Sequence, residues 1–341
     1  MARGLTVLCW LVAAPGVLWA AVRLLGVERG PLVQLLAFTP YVAGWSLVPV
    51  ALALALRRWW PAGVAVVAAL ALIAVVAPRA IGGGAGRADG PTLRVLTANL
   101  LAGAGDARTL VGLIREYDVD VLAVQEFTPA AADRLDAEGL AELMPHRQLN
   151  PIVGTAGSGL YSRLPLTGGG VRRNPGGFTQ AYATLTAPGA VPATVESVHP
   201  AAPYSLEMLP DWERDLDAQP RATPDGPVRI LAGDFNATLD HAPLRRLLAS
   251  GYRDAADAAG AGLTGTWGPY LPNHRHSSDG VPAIRRMAAR ITGDRIPPVT
   301  IDHVLVDRRV GVRDVSVLRL PGSDHRPVYA ELALPRGDVG G

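Results

Sequence analysis

The stretch Ile230-Leu231-Ala232-Gly233-Asp234-Phe235-Asn236-Ala237 sets a carboxylate and an amide two residues apart at the end of an apolar run. Such a run reads as a buried strand whose carboxyl end presents Asp234 and Asn236 at the mouth of a sheet. A carboxylate there can orient a water or hold a cation, and an amide can steady a developing oxyanion. Taken alone, the octapeptide is also an Asx-turn closing a strand. The pattern recurs along the chain. Asn99 follows Leu-Thr-Ala, Gln125-Glu126 follows Leu-Ala-Val, and His199 follows Glu-Ser-Val. Asp302-His303 opens Val-Leu-Val, and Ser323-Asp324-His325-Arg326-Pro327 directly precedes another apolar run. Each of these is individually a common turn former or a satisfied histidine. Together, on strands of one sheet assembly, they converge on one edge.

The residue types limit the chemistry. Carboxylates and amides without cysteine favour a hard, oxygen-binding cation such as Mg²⁺ or Mn²⁺ over structural zinc. The single cysteine, Cys9, lies in an apolar run, so neither a disulfide nor a cysteine metal site forms within one chain. Histidines beside carboxylates suit phosphate oxygens and proton transfer. The combination fits metal-assisted attack of water on phosphorus. A dinuclear zinc or iron phosphatase would need more His and Asp ligands in tight local motifs than the sequence offers.

The elements that must position these residues begin at Thr92, where strands start to alternate with helices. Strands are expected over Leu93–Ala98, Val119–Val124, Gly159–Ser162, Ala181–Thr186 and Thr194–Val198, then at the Ile230 run, Ile301–Val306, Val312–Leu318 and Val328–Leu334. Helices are expected from an Asp106 cap to Tyr117, over Ala130–Leu143, Leu206–Leu216 and Ala242–Leu248. Mixed elements over this length predict an α+β domain with packed sheets and helices outside.

The part before Thr92 has a different character. The chain of 341 residues is 49% hydrophobic and only 18% charged, which points to membrane segments. Leu5–Leu25, Leu32–Leu56 and Ala62–Ala77 are three apolar stretches, the second closed by Arg57-Arg58-Trp59-Trp60, an interfacial pattern. They predict a membrane anchor of three transmembrane helices over residues 1–80, a flexible Gly-rich linker over 81–91, a catalytic domain over 92–335 and a disordered tail over 336–341. A signal peptide explains the first stretch alone, and core helices would show polar faces. Three crossings put the chain ends on opposite sides. Arg3, Arg57 and Arg58 then face Arg23, Arg29, Arg79 and Arg87, and the positive-inside rule does not decide between them. Residues before Pro91 carry 7 basic and 2 acidic groups, leaving 25 basic and 28 acidic for the remainder. A net of −3 there lacks the basic footprint of a protein gripping nucleic acid.

Eight motifs in order carry a resemblance: Leu96-Thr-Ala-Asn99, Val124-Gln-Glu126, Tyr161-Ser-Arg163-Leu-Pro165, His199, Gly233-Asp-Phe-Asn236, Thr266-Trp267, Ile301-Asp-His303 and Ser323-Asp-His-Arg-Pro327. They resemble the endonuclease/exonuclease/phosphatase superfamily over about Thr92 to Leu334. The resemblance implies a four-layer αββα sandwich with the site at one edge of the paired sheets. It implies Glu126 as principal metal ligand, Asn99 beside it on metal or phosphate, and Asp324 supporting the metal side. Asp234 would orient or deprotonate the attacking water, and Asn236 would contact the phosphoryl oxygen. His325 would stabilise the transition state, held by Asp302, and His199 would contact phosphate. Joined to the anchor, the domain also resembles the membrane-anchored, VanJ-type teicoplanin-resistance proteins of bacteria. That resemblance implies a multi-pass protein of the bacterial cell membrane with an extracytoplasmic catalytic domain, acting on a lipid-linked phosphate or pyrophosphate of the cell envelope.

A long insertion from Asn273 to Pro298 departs from the pattern. Ala283–Ile291 within it is expected to be a short basic helix, with Arg285, Arg286 and Arg290 meeting anionic head groups. His274 and His276, two apart in a loop, are no metal site. The expectation is therefore a Mg²⁺-dependent phosphohydrolase whose partners are membrane lipids and a phosphorylated substrate, with no obligate protein partner evident. A tethered or extracellular nuclease is the alternative, disfavoured by the acidic domain and the lack of an aromatic-basic strip. A binding protein without turnover is a third reading, opposed by the intact set of polar residues.

Overall fold

In the computed structural model, residues 2–83, 86, 89–268 and 296–337 are described. The expected basic helix at Ala283–Ile291, and His274 and His276, lie outside them.

Strand alternation builds the domain. In β1 (Thr92–Asn99), Leu93 and Val95 point to one face and Leu96 and Ala98 to the other. In β2 (Val121–Gln125), Val121 and Ala123 share the first face, and Leu122 and Val124 the second. The first face packs against a second sheet through Ala181, Val195, Ile230, Ala232, Val304 and Val306. The second face is covered by α6 (Ala107–Glu116) and α7 (Pro129–Ala137), through Leu110, Val111, Ile114, Ala131 and Leu135.

The first sheet is completed by β3 (His146–Asn150), β4 (Ser158–Ser162), β11 (Gly311–Val317) and β12 (Val328–Ala333), in the order β11-β12-β1-β2-β4-β3. The second runs β5-β6-β7-β8-β10-β9, from β5 (Leu166–Arg173), β6 (Thr179–Leu185), β7 (Ala193–Val198), β8 (Val228–Asp234), β9 (Tyr252–Asp254) and β10 (Asp302–Asp307). Its outer face packs Val198, Leu231, Phe235 and Leu305 under α9 (Leu209–Asp217) and α10 (Ala242–Ala249), through Trp212, Leu216, Leu244 and Leu247. The result is the expected α+β sandwich of two sheets with helices outside. The expected helix over Ala130–Leu143 is two helices, α7 and α8 (Leu140–Leu143), broken at Gly139 with φ 86°.

The N-terminal part is a helical bundle. Two of its helices are long and apolar enough to cross a bilayer: Arg3–Leu25 within α1 (Ala2–Leu25), and Trp59–Ala80, which contains α5 (Trp59–Val76). The middle stretch departs from the single helix expected over Leu32–Leu56. It breaks into α2 (Pro31–Leu36), α3 (Thr39–Trp45) and α4 (Leu47–Ala55). Thr39 Oγ1 donates to Leu36 O at 2.6 Å in the first break, with Pro40 just beyond it. α2 packs on the catalytic domain: Val33 joins the core under α9 and α10, and Gln34 Nε2 donates to Pro203 O at 2.8 Å.

The junctions are ordered where described. In the linker, Gly83 N donates to Ala258 O at 3.2 Å. At the start of the tail, Gly337 N donates to Gly189 O at 3.1 Å.

Candidate active site

The same alternation aims the polar residues. Asn99 and Gln125 continue the inward parity of β1 and β2, and Asp234 and Asp302 that of β8 and β10. Asp302 lies directly opposite Asp234 in the antiparallel β8–β10 pair, and Asn99 opposite Gln125 in the parallel β1–β2 pair. Parallel pairing of β7 with β8 matches Val198 to Gly233 and so brings His199 to the same end. Gly233 is required there, because a Cβ on it would stand 2.0 Å from Val198 O. One layer below, Gln125 Nε2 donates to Ser197 Oγ at 2.9 Å and joins the two sheets.

Asn99 is the hinge of the cluster. Its Nδ2 donates to Asp234 Oδ2 at 3.0 Å, across the sheets, and to Glu126 Oε1 at 3.3 Å. Its Oδ1 accepts from Leu101 N at 2.9 Å, which fixes the amide orientation. Glu126 Oε2 accepts from Ala102 N at 2.6 Å. Glu126 and Asn236 hold left-handed backbone, with φ 52° and 48°. Such backbone is uncommon for a glutamate and concentrates at functional positions.

The histidine side is equally fixed. His325 Nδ1 donates to Asp302 Oδ2 at 2.9 Å. The Asp302 and Ile301 amides donate to Thr266 Oγ1, each at 3.0 Å, and Ser323 Oγ donates to Asn99 O at 2.7 Å. His325 Nε2 and His199 Nε2 both stand 3.7 Å from Asp234 Oδ2, beyond direct hydrogen bonding yet close enough for strong electrostatic coupling. Asp324 stands beside His325, with Oδ1 3.9 Å from Nε2, and its Oδ2 accepts from Trp267 Nε1 at 3.1 Å. Asp234 Oδ1 accepts from Asn236 N at 2.8 Å, and the Asn236 amide donates to Pro200 O at 3.1 Å. Phe178 packs edge-on against His199 with centroids 4.8 Å apart.

Burial opposes the His325 imidazolium, but Asp302 and Asp234 outweigh it and raise its pKa to about 10. Burial pushes the Asp234 carboxyl above the ordinary range, His325 pulls it back, and Asp302 adds to the rise. The pair therefore holds a charged donor and a poised acceptor at neutral pH.

Asp234, Asp302 and His325 offer ligand atoms within 4.8 Å of one another. Within the trio, His325 and Asp302 are hydrogen-bonded to each other and face the Asp234 carboxyl. The oxygens of Glu126 and Asn99 lie alongside. This cysteine-free, oxygen-rich donor set fits a hard dication.

The structure brings together Asn99, Glu126, His199, Asp234, Asn236, Asp302, Asp324 and His325. His303, one residue from Asp302, faces the other way. Its Nδ1 donates to Asp254 at 2.7 Å and its Nε2 to Ala237 O at 2.9 Å. Burial disfavours its charge, but Asp254 prevails and raises its pKa. Thr266 and Ser323 stand within quoted motifs, but their bonding partners are far off in sequence. Asn174 and Gln180, absent from the sequence reading, buttress His199. Asn174 Nδ2 donates to His199 O at 3.2 Å, and Gln180 Oε1 accepts from His199 N at 3.2 Å.

Paired sheets with this polar cluster at one end define a class of phosphoester hydrolase. The family model described as endonuclease/exonuclease/phosphatase family matches residues 96–325. The chain belongs to that family, whose members are hydrolases of phosphoesters that depend on a divalent metal. Among solved structures, it is similar to an endonuclease/exonuclease/phosphatase from Beutenbergia cavernae. The identity is 19%, 74% of each chain is covered, and the TM-score is 0.51. It is also similar to a humanized D. rerio TDP2, at 15% identity over 71% of this chain and 98% of that one, with a TM-score of 0.51. No curated protein matches the chain.

Proposed function

We propose that the chain is a membrane-anchored phosphohydrolase using Mg²⁺ or Mn²⁺, and that it acts on lipid-linked phosphate or pyrophosphate at the outer face of the bacterial cell membrane. One observation carries this reading. The polar cluster sits at one end of the paired sheets, and the loop leaving that end touches the ends of both helices long enough to span a bilayer. Arg23, at the end of α1, and Arg79, just beyond α5, each bond Asp240 in that loop. Trp59 and Trp60, 70% and 84% exposed, mark the opposite end of α5 as an interfacial belt. Thr39–Ala55, a shorter apolar helix, would return the chain as a third crossing. The VanJ-type resemblance supplies the outward orientation and the envelope lipid.

The roles follow from the contacts. Glu126 and Asn99 would hold the cation, which supplies Lewis-acid neutralisation of phosphoryl charge. Water attacks phosphorus, its proton passes to Asp234 Oδ2, and the bond from phosphorus to the leaving oxygen breaks. Asn236 keeps Asp234 turned toward the water through its backbone N–H, and its amide lies within reach of a phosphoryl oxygen. Protonated His325, held by Asp302, and His199 face the charge that develops on phosphorus. Asp324, held by Trp267 beside His325, would support the metal side.

Phosphate release by the full-length protein in vesicles with Mg²⁺ tests this, with undecaprenyl pyrophosphate and single-stranded DNA offered separately and Glu126→Ala as blank. Lipid turnover without DNA cutting is expected. DNA cutting without lipid turnover would replace the proposal with a tethered nuclease.

A further inference from the structure

The loop between Asp234 and α10 is held from two sides. Its first half is fixed by the domain itself: Trp212 Nε1 donates to Asn236 O at 2.9 Å, and His303 Nε2 to Ala237 O at 2.9 Å. Its second half is fixed by the N-terminal bundle. The Asp240 side chain is fully buried. Arg79 grips it bidentately, NH1 to Oδ2 at 2.8 Å and NH2 to Oδ1 at 2.7 Å. Arg23 Nε adds a bond to Oδ1 at 2.6 Å, and its NH2 reaches Leu239 O at 3.3 Å. Next in the loop, His241 takes the Thr238 N–H on Nδ1 at 2.8 Å and donates from Nε2 to Val33 O in α2 at 2.7 Å. Glu28, between α1 and α2, accepts from Ala242 N.

A tether needs no such arrangement. A buried carboxylate facing two buried guanidiniums is costly to assemble, and a misplaced partner leaves a bare charge. Arg79 uses the fork geometry that a lysine cannot reproduce. Thr238, bonded to His241 and itself two residues from Asn236, ties the clasped half of the loop to the half that presents the catalytic carboxylate and amide.

We propose that Arg23, Arg79 and Asp240 are positioning residues for the reaction: the N-terminal helices complete the active site by holding the loop that starts at Asp234 and carries Asn236. This rests on the phosphohydrolase reading for its catalytic consequence. The bundle then acts on the chemical step, even for a substrate that never meets a membrane.

The test uses full-length protein in detergent micelles with Mg²⁺, and bis(p-nitrophenyl) phosphate as a water-soluble diester. In R23Q/R79Q, kcat is expected to fall about tenfold or more with KM within about twofold, as for a small displacement of aligned groups. R23K/R79K, which keeps the charge without the fork, is expected to fall between the double Gln variant and wild type. Amide hydrogen exchange is read in the same samples. Residues 236–242 are expected to exchange about tenfold faster, while β8 and β10 exchange as in wild type. If kcat and loop exchange both stay within about twofold of wild type, the clasp is only a tether and the proposal is wrong. If R23Q/R79Q does not fold, R23Q alone and the all-neutral R23Q/R79Q/D240N, which leaves no bare charge, carry the same two readouts. If wild type itself turns over no phosphoester, the functional reading fails, and loop exchange alone decides the clasp: unchanged exchange overturns it.

Discussion

Asp234, at the end of β8, and Asp240, in the loop that follows, lie six positions apart, at 1% and 0% exposure, and their surroundings oppose each other. Asp234 faces an amide, two imidazoles and a second carboxylate, and its pKa is pushed up, chiefly by burial. For Asp240 burial also disfavours the charge, but Arg79 and then Arg23 outweigh it and hold the carboxyl below its ordinary value. Equal burial thus leaves one carboxyl raised and the other held as an anion, and the partner set decides which.

The sharpest way to break the comparison is at the reactive end. Asp234→Asn removes the proposed proton acceptor and should cost about 10²- to 10⁴-fold in kcat on the diester. Glu126→Ala should match the loss produced by EDTA, and rescue of wild type but not of the variant by excess Mn²⁺ checks that assignment. Next comes Asp302→Asn, with an expected loss of about 10²-fold. In wild type the alkaline limb of the pH–rate profile should fall near the His325 value of about 10, and in Asp302→Asn it should move down toward the ordinary 6.5. The wild-type acid limb should lie above the ordinary carboxylate value of 3.8, since the raised Asp234 loses its base form as pH falls.

At the fixed end the larger effect is on stability, beside the roughly tenfold loss of turnover expected from a loosened loop. Asp240→Asn leaves two buried guanidiniums facing a neutral amide and should destabilise the protein by about 3–5 kcal/mol at neutral pH. A depressed carboxyl contributes stability above its unfolded value and loses it as pH falls through the folded one. The gap between wild type and Asp240→Asn in a denaturant series should therefore close well below pH 3.8. The smallest change is Trp267→Phe, which removes one hydrogen bond to Asp324. It should cost about fivefold in kcat.

The polar cluster was legible in the sequence because its residues flank apolar runs, and strand parity carries Asn99, Asp234 and Asp302 to the same edge while the others lie within a few residues of strand ends. β3 and β5 were not legible. Their residues are mostly half-exposed or exposed, and β5 carries Gly168-Gly169-Gly170 with a register shift between Thr167 and Gly170. Apolar alternation is weak on such edges. The fixed end was hidden for another reason. Arg23 reads as an interruption of an apolar stretch and Arg79 as its end, while their shared partner lies 217 and 161 residues away. A charged residue inside a spanning-length apolar run was the available signal. Likewise the Leu32–Leu56 run hides α2, since hydropathy does not separate a residue facing lipid from Val33, which joins the core under α9 and α10.

The most direct test compares Asp234→Asn and Asp240→Asn side by side, in full-length protein, by diester turnover with Mg²⁺ and by thermal melting in EDTA. Asp234→Asn should lose turnover about 100-fold or more and melt at or above wild type, because its buried charge is a cost in the folded state. Asp240→Asn should melt well below wild type and lose turnover only about tenfold, through the loosened loop. The reverse pattern, with Asp234→Asn active and Asp240→Asn thermally unchanged, would contradict the division of labour between the two carboxylates.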